Sequence, residues 1–314
     1  MYLFTYVVDH RPAPGRQVGA LGVDISLATQ AFCEDHPAEC EELTETPVSL
    51  LDWIRLGSTG LRLIERATDW ILNSYAKKDE SSWLKGIVFE FDSVGLLAPI
   101  PNPGKVICIA GNYPAQGKME KPEYPTVFLK PSSGVIGDEQ NVIIPALAKN
   151  VAYEVELAVV IGSRTRNVAP EEGLGSVAGY TLANDMGDRM LEKRTSQWTS
   201  GKMFDTFTPM GPVLVTPDEL RDAGTLEMTT RVNGQVVQQG NIDQMFFDIP
   251  NLVSMLSELT TLEPGDVILS GSPKLMGESP NPSVAVKPGD VVEVSIEKLG
   301  TLTNTAIAEE QERS

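Results

Sequence analysis

The chain has 314 residues, 41% hydrophobic and 22% charged, and its 43 acidic against 25 basic side chains give a net charge of −18. That length buries a large core and suits one large domain with a smaller one. The acidic balance argues against nucleic acid or an anionic membrane surface as a partner, and no run is apolar for long enough to span a bilayer.

The opening residues, Met1-Tyr2-Leu3-Phe4-Thr5, lack the basic and apolar regions of a secretion signal. Residues 1–98 read as a small α/β domain. It starts with strand-like Phe4–Val8 and Gly19–Asp24. A helix follows at Leu50–Ile54 behind a Ser49 cap, and a second carries Leu61, Ile64, Ala67, Ile71 and Tyr75 at helical spacing. Cys33, Cys40 and Cys108 have no zinc-site spacing and are expected as free packing thiols in a reducing, cytoplasmic compartment. The breaker cluster Pro99-Ile100-Pro101-Asn102-Pro103-Gly104 marks a linker.

From residue 105 to 314 the chain is mainly β. Strands are predicted at Val106–Ala110, Thr126–Leu129, Val142–Pro145, Gly179–Asp185 and Val291–Glu297, with helices at Pro170–Leu174 and around Leu252, Leu256 and Leu259. Pro264-Gly265-Asp266 and Pro288-Gly289-Asp290 are two copies of one turn, each leading into a strand.

The most telling stretch is Tyr153-Glu154-Val155-Glu156-Leu157-Ala158-Val159-Val160-Ile161-Gly162. In a strand, Glu154 and Glu156 project to one face, roughly 7 Å apart at Cα. The run behind them lacks polar alternation and reads as covered on both faces. Two carboxylates there repel one another in a poorly solvated place, and a hard divalent cation is the simplest remedy. Val291–Glu297 shows the ordinary alternative, with Glu293 and Glu297 alternating against Val292, Val294 and Ile296 and facing water.

Four segments in order resemble the fumarylacetoacetate hydrolase family: Glu154–Gly162, Ala178–Asp185, Gly201–Pro212 and Glu263–Leu269. The likeness covers about residues 105–308. It implies a mixed β-sandwich roll, usually a homodimer, that holds Mg²⁺ (or Mn²⁺ or Ca²⁺) on Glu154, Glu156 and Asp185. That oxygen-only donor set suits such ions, whereas zinc recruits His or Cys, and the two histidines, His10 and His36, lie in the N-terminal part. The implied substrates are α-keto or β-dicarbonyl acids that react through a metal-stabilised enolate, by decarboxylation, tautomerisation or C–C hydrolysis. Lys202 matches the family's active-site lysine. Arg189 is placed to meet a substrate carboxylate, and Lys130, Ser270 and Ser272 fall near the pocket.

The departures are specific. Where family members carry Asn-Tyr-x-Asp-His, this chain has Asn112-Tyr113-Pro114-Ala115-Gln116. Gln116 can orient water or a carbonyl but cannot act as a base. Gly187-Asp188-Arg189-Met190 stands where Ser-Ala-Arg-Asp is usual, and Lys274-Leu275-Met276-Gly277-Glu278 replaces the usual Gly-Val-Gly. Three readings follow. In one, the ion and Lys202 suffice, which favours tautomerisation or decarboxylation. In another, Glu120 or Glu123 on the same loop supplies the base. In the third, a degenerate non-catalytic paralogue binds metal and ligand, or a partner protein, without turnover.

Overall fold

The apolar run behind the two acids forms the strand Val155–Ile161, and all seven of its residues are buried. Its neighbours explain this. It pairs antiparallel with Val177–Asn184 on one side and Val267–Leu269 on the other. One face, carrying Val155, Leu157, Val159 and Ile161, packs with Met228, Val294, Ile296 and Leu302 and with Leu252, Val253 and Leu256 of the helix Ile249–Leu259. The other face, carrying Ala158 and Val160, packs on Leu50, Trp53, Leu63 and Ile64 of the N-terminal helices. By strand parity Glu154 and Glu156 share this second face, at its end.

The computed structural model describes residues 1–77, 84–114, 120–220, 226–273 and 285–312. Within them lie a 12-stranded and a five-stranded sheet, the mixed β architecture with flanking helices expected of the family. The large sheet runs without a break from the N-terminal strands into Val155–Ile161 and Val177–Asn184. Tyr2–Val8 pairs antiparallel with Thr208–Val215 through Tyr2↔Val215 and Leu3↔Leu214. The small sheet stacks Gln235–Asn241, Glu227–Val232, Val291–Ile296, Gly300–Ala308 and Val142–Ile144 in that order. No helix among the described residues is long and apolar enough to cross a membrane.

Local chemistry sets the helix starts. Ser49 Oγ accepts the Asp52 N–H at the head of Leu50–Arg55, and Asp248 accepts the Asn251 N–H at the head of Ile249–Leu259. The two Pro-Gly-Asp turns close alike: Asp266 takes the Glu263 N–H at 2.7 Å and Asp290 the Lys287 N–H at 2.8 Å.

One expectation is overturned. Cys33 and Cys40 are joined in a disulfide rather than free. The helix Ile25–Asp35 stops at His36, and the turn Pro37–Glu39 folds the chain back, bringing the two Cα atoms to 5.7 Å. With two of the three thiols joined, the cysteines no longer point to a reducing compartment. Cys108 is free and buried, as expected.

Candidate metal centre

Three carboxylates converge where the second face of the central strand ends. Glu154 precedes the strand and Glu156 is its second residue. Asp185 directly follows the partner strand Val177–Asn184, and its N–H bonds the Glu154 carbonyl at 2.9 Å. One oxygen from each acid lies within 4.8 Å of the others. That span matches an oxygen cage around one cation with ligand distances of about 2.0–2.6 Å.

Three cations surround the trio. Lys202 ends the short helix Thr199–Lys202, and its Nζ meets Glu154 Oε2 at 2.6 Å, Asp185 Oδ2 at 2.8 Å and the Asp185 carbonyl at 2.9 Å. Arg189 opens the helix Arg189–Glu192 and bridges Glu154 and Glu192, the latter at 3.1 Å. Lys130, at the end of the strand Thr126–Lys130, was expected at the substrate. Instead it commits its three N–H groups to Asp185 Oδ1 at 2.6 Å and to the Met186 and Phe207 carbonyls at 2.9 and 2.6 Å.

The charges are unevenly shared. Burial resists ionisation of Asp185, but Lys130 and Lys202 outweigh it and hold its pKa below the ordinary aspartate value. Lys202 and then Arg189 do the same for Glu154. Among the described residues Glu156 makes no direct ion pair, and Lys202 only partly offsets the repulsion it meets. Its Oε2 accepts the Gly271 N–H at 2.7 Å, while burial, then Asp185 and Glu154, push its pKa well above the usual range. Burial also opposes the charge on Lys202, yet Asp185 and Glu154 hold the ammonium protonated with a pKa above that of a free lysine. The three carboxylates form an all-oxygen donor set in which Glu156 makes no direct ion pair among the described residues. These residues fit a hard divalent cation.

The supporting backbone is tightly specified. Gly271 sits at φ +97°, and a Cβ there would lie 2.9 Å from both the Ile109 carbonyl and Asn112 Cβ, so glycine is what lets its N–H reach Glu156. Asn112 bonds both main-chain groups of Phe247 and the Ser270 carbonyl. At Gly187 a Cβ would meet Glu192 Oε1 at 2.4 Å and Lys202 Cδ at 2.8 Å. This accounts for glycine where the family's Ser-Ala-Arg-Asp segment begins. Asp188, fully buried, caps the Arg189 helix and accepts four backbone N–H groups, from Lys149, Asn150, Met190 and Leu191; these overcome its burial and lower its pKa.

The remaining site candidates are placed as follows. Ser270 is fully buried and Ser272 is half-buried. Glu120 and Glu123 are exposed, on a segment whose Lys121 ammonium lies 4.4 Å from the Phe247 ring centre. Gln116 and the 274–278 departure lie outside the described residues. His10 occupies a turn at φ +61°, and His36 stacks on Phe32 in the N-terminal helices. Sequence reasoning missed Asp188 and Glu192. The N-cap position ahead of Arg-Met-Leu-Glu and the i,i+3 pairing with Arg189 were the available signals.

Comparison with known proteins identifies the family. Residues 105–307 match the family model described as fumarylacetoacetate (FAA) hydrolase, C-terminal. The human protein named oxaloacetate tautomerase FAHD2A, mitochondrial, is 40% identical over 219 residues, covering 68% of this chain and 70% of that one. Fumarylacetoacetate hydrolase from psychrophilic Exiguobacterium antarcticum superposes with a TM-score of 0.78 at 30% identity, over 98% of this chain and 100% of that one. Maleylpyruvate hydrolase from Sphingobium sp. SYK-6, in complex with manganese(II) and pyruvate, superposes with a TM-score of 0.70 at 28% identity, over 98% and 99%. Sequence order, sheet architecture and family model coincide over the segment that bears the three carboxylates, and the chain belongs to the fumarylacetoacetate hydrolase family.

Proposed function

We propose that the protein is a divalent-metal-dependent enzyme, with Mg²⁺ or Mn²⁺ on Glu154, Glu156 and Asp185, that interconverts the keto and enol forms of an oxaloacetate-like α-keto acid. The carrying observation is the trio within 4.8 Å, flanked by a lysine that stays protonated. When bound, the cation supplies Lewis acidity to the two chelating oxygens of the keto acid. The name of the human relative and the Mn²⁺–pyruvate complex of the Sphingobium neighbour support the substrate class.

This chain's residues have separate tasks. Tautomerisation moves one proton from C3 to the C2 oxygen, with nothing else gained or lost. Lys202, held as an ammonium, stabilises negative charge growing on oxygen or delivers the proton there, and it cannot be the base. Arg189 keeps an accessible edge with its side chain 30% exposed, which suits a substrate carboxylate. Lys130, with all its donors engaged, anchors Asp185. Glu120, next in sequence to Lys121, whose ammonium lies over the Phe247 ring, is the proposed base, with Glu123 as the alternative and Gln116 in an orienting role. Ser270 and Ser272 line the loop behind Glu156. The exposed outer edge of Thr126–Lys130, with Tyr124 and Leu129 69% and 55% exposed, supports assembly as a homodimer.

The deciding experiment follows proton exchange at C3 of oxaloacetate by NMR, with and without Mg²⁺. Metal-dependent exchange by the wild type is expected. Its absence, with oxaloacetate and with a panel of diketo acids, sinks the enzymatic reading and leaves a non-catalytic binder.

A further inference from the structure

Gln238 lies outside the charged cluster, yet two of its three hydrogen-bond partners belong to the segments that build it. It sits in the strand Gln235–Asn241 of the small sheet and is 1% exposed. Its Oε1 accepts the Val155 N–H at 2.9 Å and the Thr230 hydroxyl at 2.8 Å, and its Nε2 donates to the Pro273 carbonyl. Val155 is the residue between Glu154 and Glu156. Pro273 lies two residues past Gly271, whose N–H reaches Glu156. A single amide thus ties the backbone bearing two of the acids to the loop that supplies the donor for one of them.

The local fold is shaped for this tie. Thr230 faces Gln238 across the ladder but Arg231 faces Val236, so Val237 is one residue extra and the register slips. The slip allows Val237 and Gln238, neighbours in sequence, both to be buried, which plain alternation forbids. Strand and loop meet again two residues on, where a Cβ at Gly240 would lie 2.4 Å from Pro273 Cβ. Burying an amide in such a core is costly unless its bonds are made, and an apolar residue of similar shape would fill the space.

We propose that Gln238 is a positioning residue for the metal centre: it sets the separation between the 154–156 backbone and the 270–273 loop, and so the presentation of Glu156. This rests on the metal reading above. Gln238 links the small sheet to the centre through two hydrogen bonds, to Val155 and Pro273, and is held in its own sheet by a third, from Thr230.

The test uses the full chain and manganese(II) chloride as probe. Mn²⁺ affinity is measured by calorimetry, and amide exchange at Val155 and Gly271 is measured in metal-free protein. Gln238→Met, close in shape, removes all three bonds; Gln238→Glu keeps the acceptor for Val155 but loses the donor to Pro273. Gln238→Met is expected to weaken Mn²⁺ binding about 10–100-fold, in the range seen when groups that orient metal ligands are lost, and to speed exchange at both amides. Gln238→Glu should weaken it less and leave Val155 protected. A folded Gln238→Met protein with wild-type affinity and wild-type Gly271 protection overturns the proposal. Should that variant fail to fold, Gln238→Glu decides: a loss of threefold or more supports the role, and unchanged affinity overturns it. Wild-type protein that takes up no Mn²⁺ sinks the metal reading instead, a result distinct from either.

Discussion

Two strands of this protein carry glutamates among valines and isoleucines, yet only one holds a charged centre. Val291–Ile296 alternates buried and half-buried residues, and Glu293 points away from the core between Val292 and Val294. Val155–Ile161 is buried at every position, with the N-terminal helices over one face and the small sheet and the helix Ile249–Leu259 against the other. The residue types are similar; the cover differs. A carboxylate at the uncovered face keeps its water, whereas one at the end of a doubly covered strand has its charge answered by Lys, Arg or a cation, or becomes protonated.

The largest effect expected from breaking this contrast is at Lys202. Lys202→Met removes the ammonium shared by Glu154 and Asp185. Metal-dependent C3 exchange should fall about 10²–10³-fold, the scale for losing one charge-stabilising donor. Unfolding of the metal-free protein should become easier by about 3–5 kcal/mol, because two buried carboxylates lose a partner. NMR exchange and chemical denaturation measure the two losses. Exchange within twofold of wild type removes Lys202 from the chemistry.

Glu156 sharpens the comparison through pH. Its folded pKa is raised above the unfolded value, so its contribution to stability is fully present below the unfolded glutamate range, near 4.3, and is lost as pH rises toward the folded value. Glu154 and Asp185 are lowered, so theirs is present above that range and lost at more acidic pH. Metal-free protein should therefore lose stability as pH rises above the unfolded glutamate range, with a slope of at most about 1.4 kcal/mol per pH unit from this one proton. Glu156→Gln should flatten that slope, and saturating Mg²⁺ should reverse it in wild type only. Melting curves with a chelator and with Mg²⁺ provide the check; an unchanged slope in Glu156→Gln assigns the loss to another group.

A smaller effect is expected at the rim. Arg189→Lys keeps the charge but loses the fork that spans Glu154 and Glu192, so KM for oxaloacetate should rise about tenfold with less change in kcat. Glu120→Gln should lower kcat about 10²-fold if its carboxylate takes the proton, and Glu123→Gln should not. The reverse result moves the base to Glu123.

Much of this was legible because it obeys local rules. Val106–Ala110 has the strand limits its apolar run predicts, Ser49 caps its helix, and the acid trio stands at the expected positions. What was hidden depends on distant chain. Arg11–Val18 contains Pro12 and Pro14, which argue against a strand; it forms one because only Gly15–Gln17 is paired on both sides, leaving the prolines on a one-sided length. The Cys33–Cys40 bond needed the turn at Pro37–Glu39, for which spacing gave no sign. Gln238 looks like a polar residue of an ordinary alternating strand until a register slip turns it inward.

The smallest expected effect completes the contrast. Glu293 faces Arg231 on one neighbouring strand and Thr303 on the other, half-buried at a surface where water solvates its charge. Glu293→Gln deletes a charge whose environment demands none, so stability should move by no more than about 0.5 kcal/mol. Mn²⁺ affinity and the pH slope should match wild type. The same Glu→Gln change at 156 alters both, so the pair of variants separates what a glutamate is from where it sits. A Glu293→Gln protein with weakened Mn²⁺ binding would mean that the small sheet transmits surface changes to the centre. The five-stranded layer would then act as a coupled part of the metal site, with Gln238 as the contact through which that coupling runs.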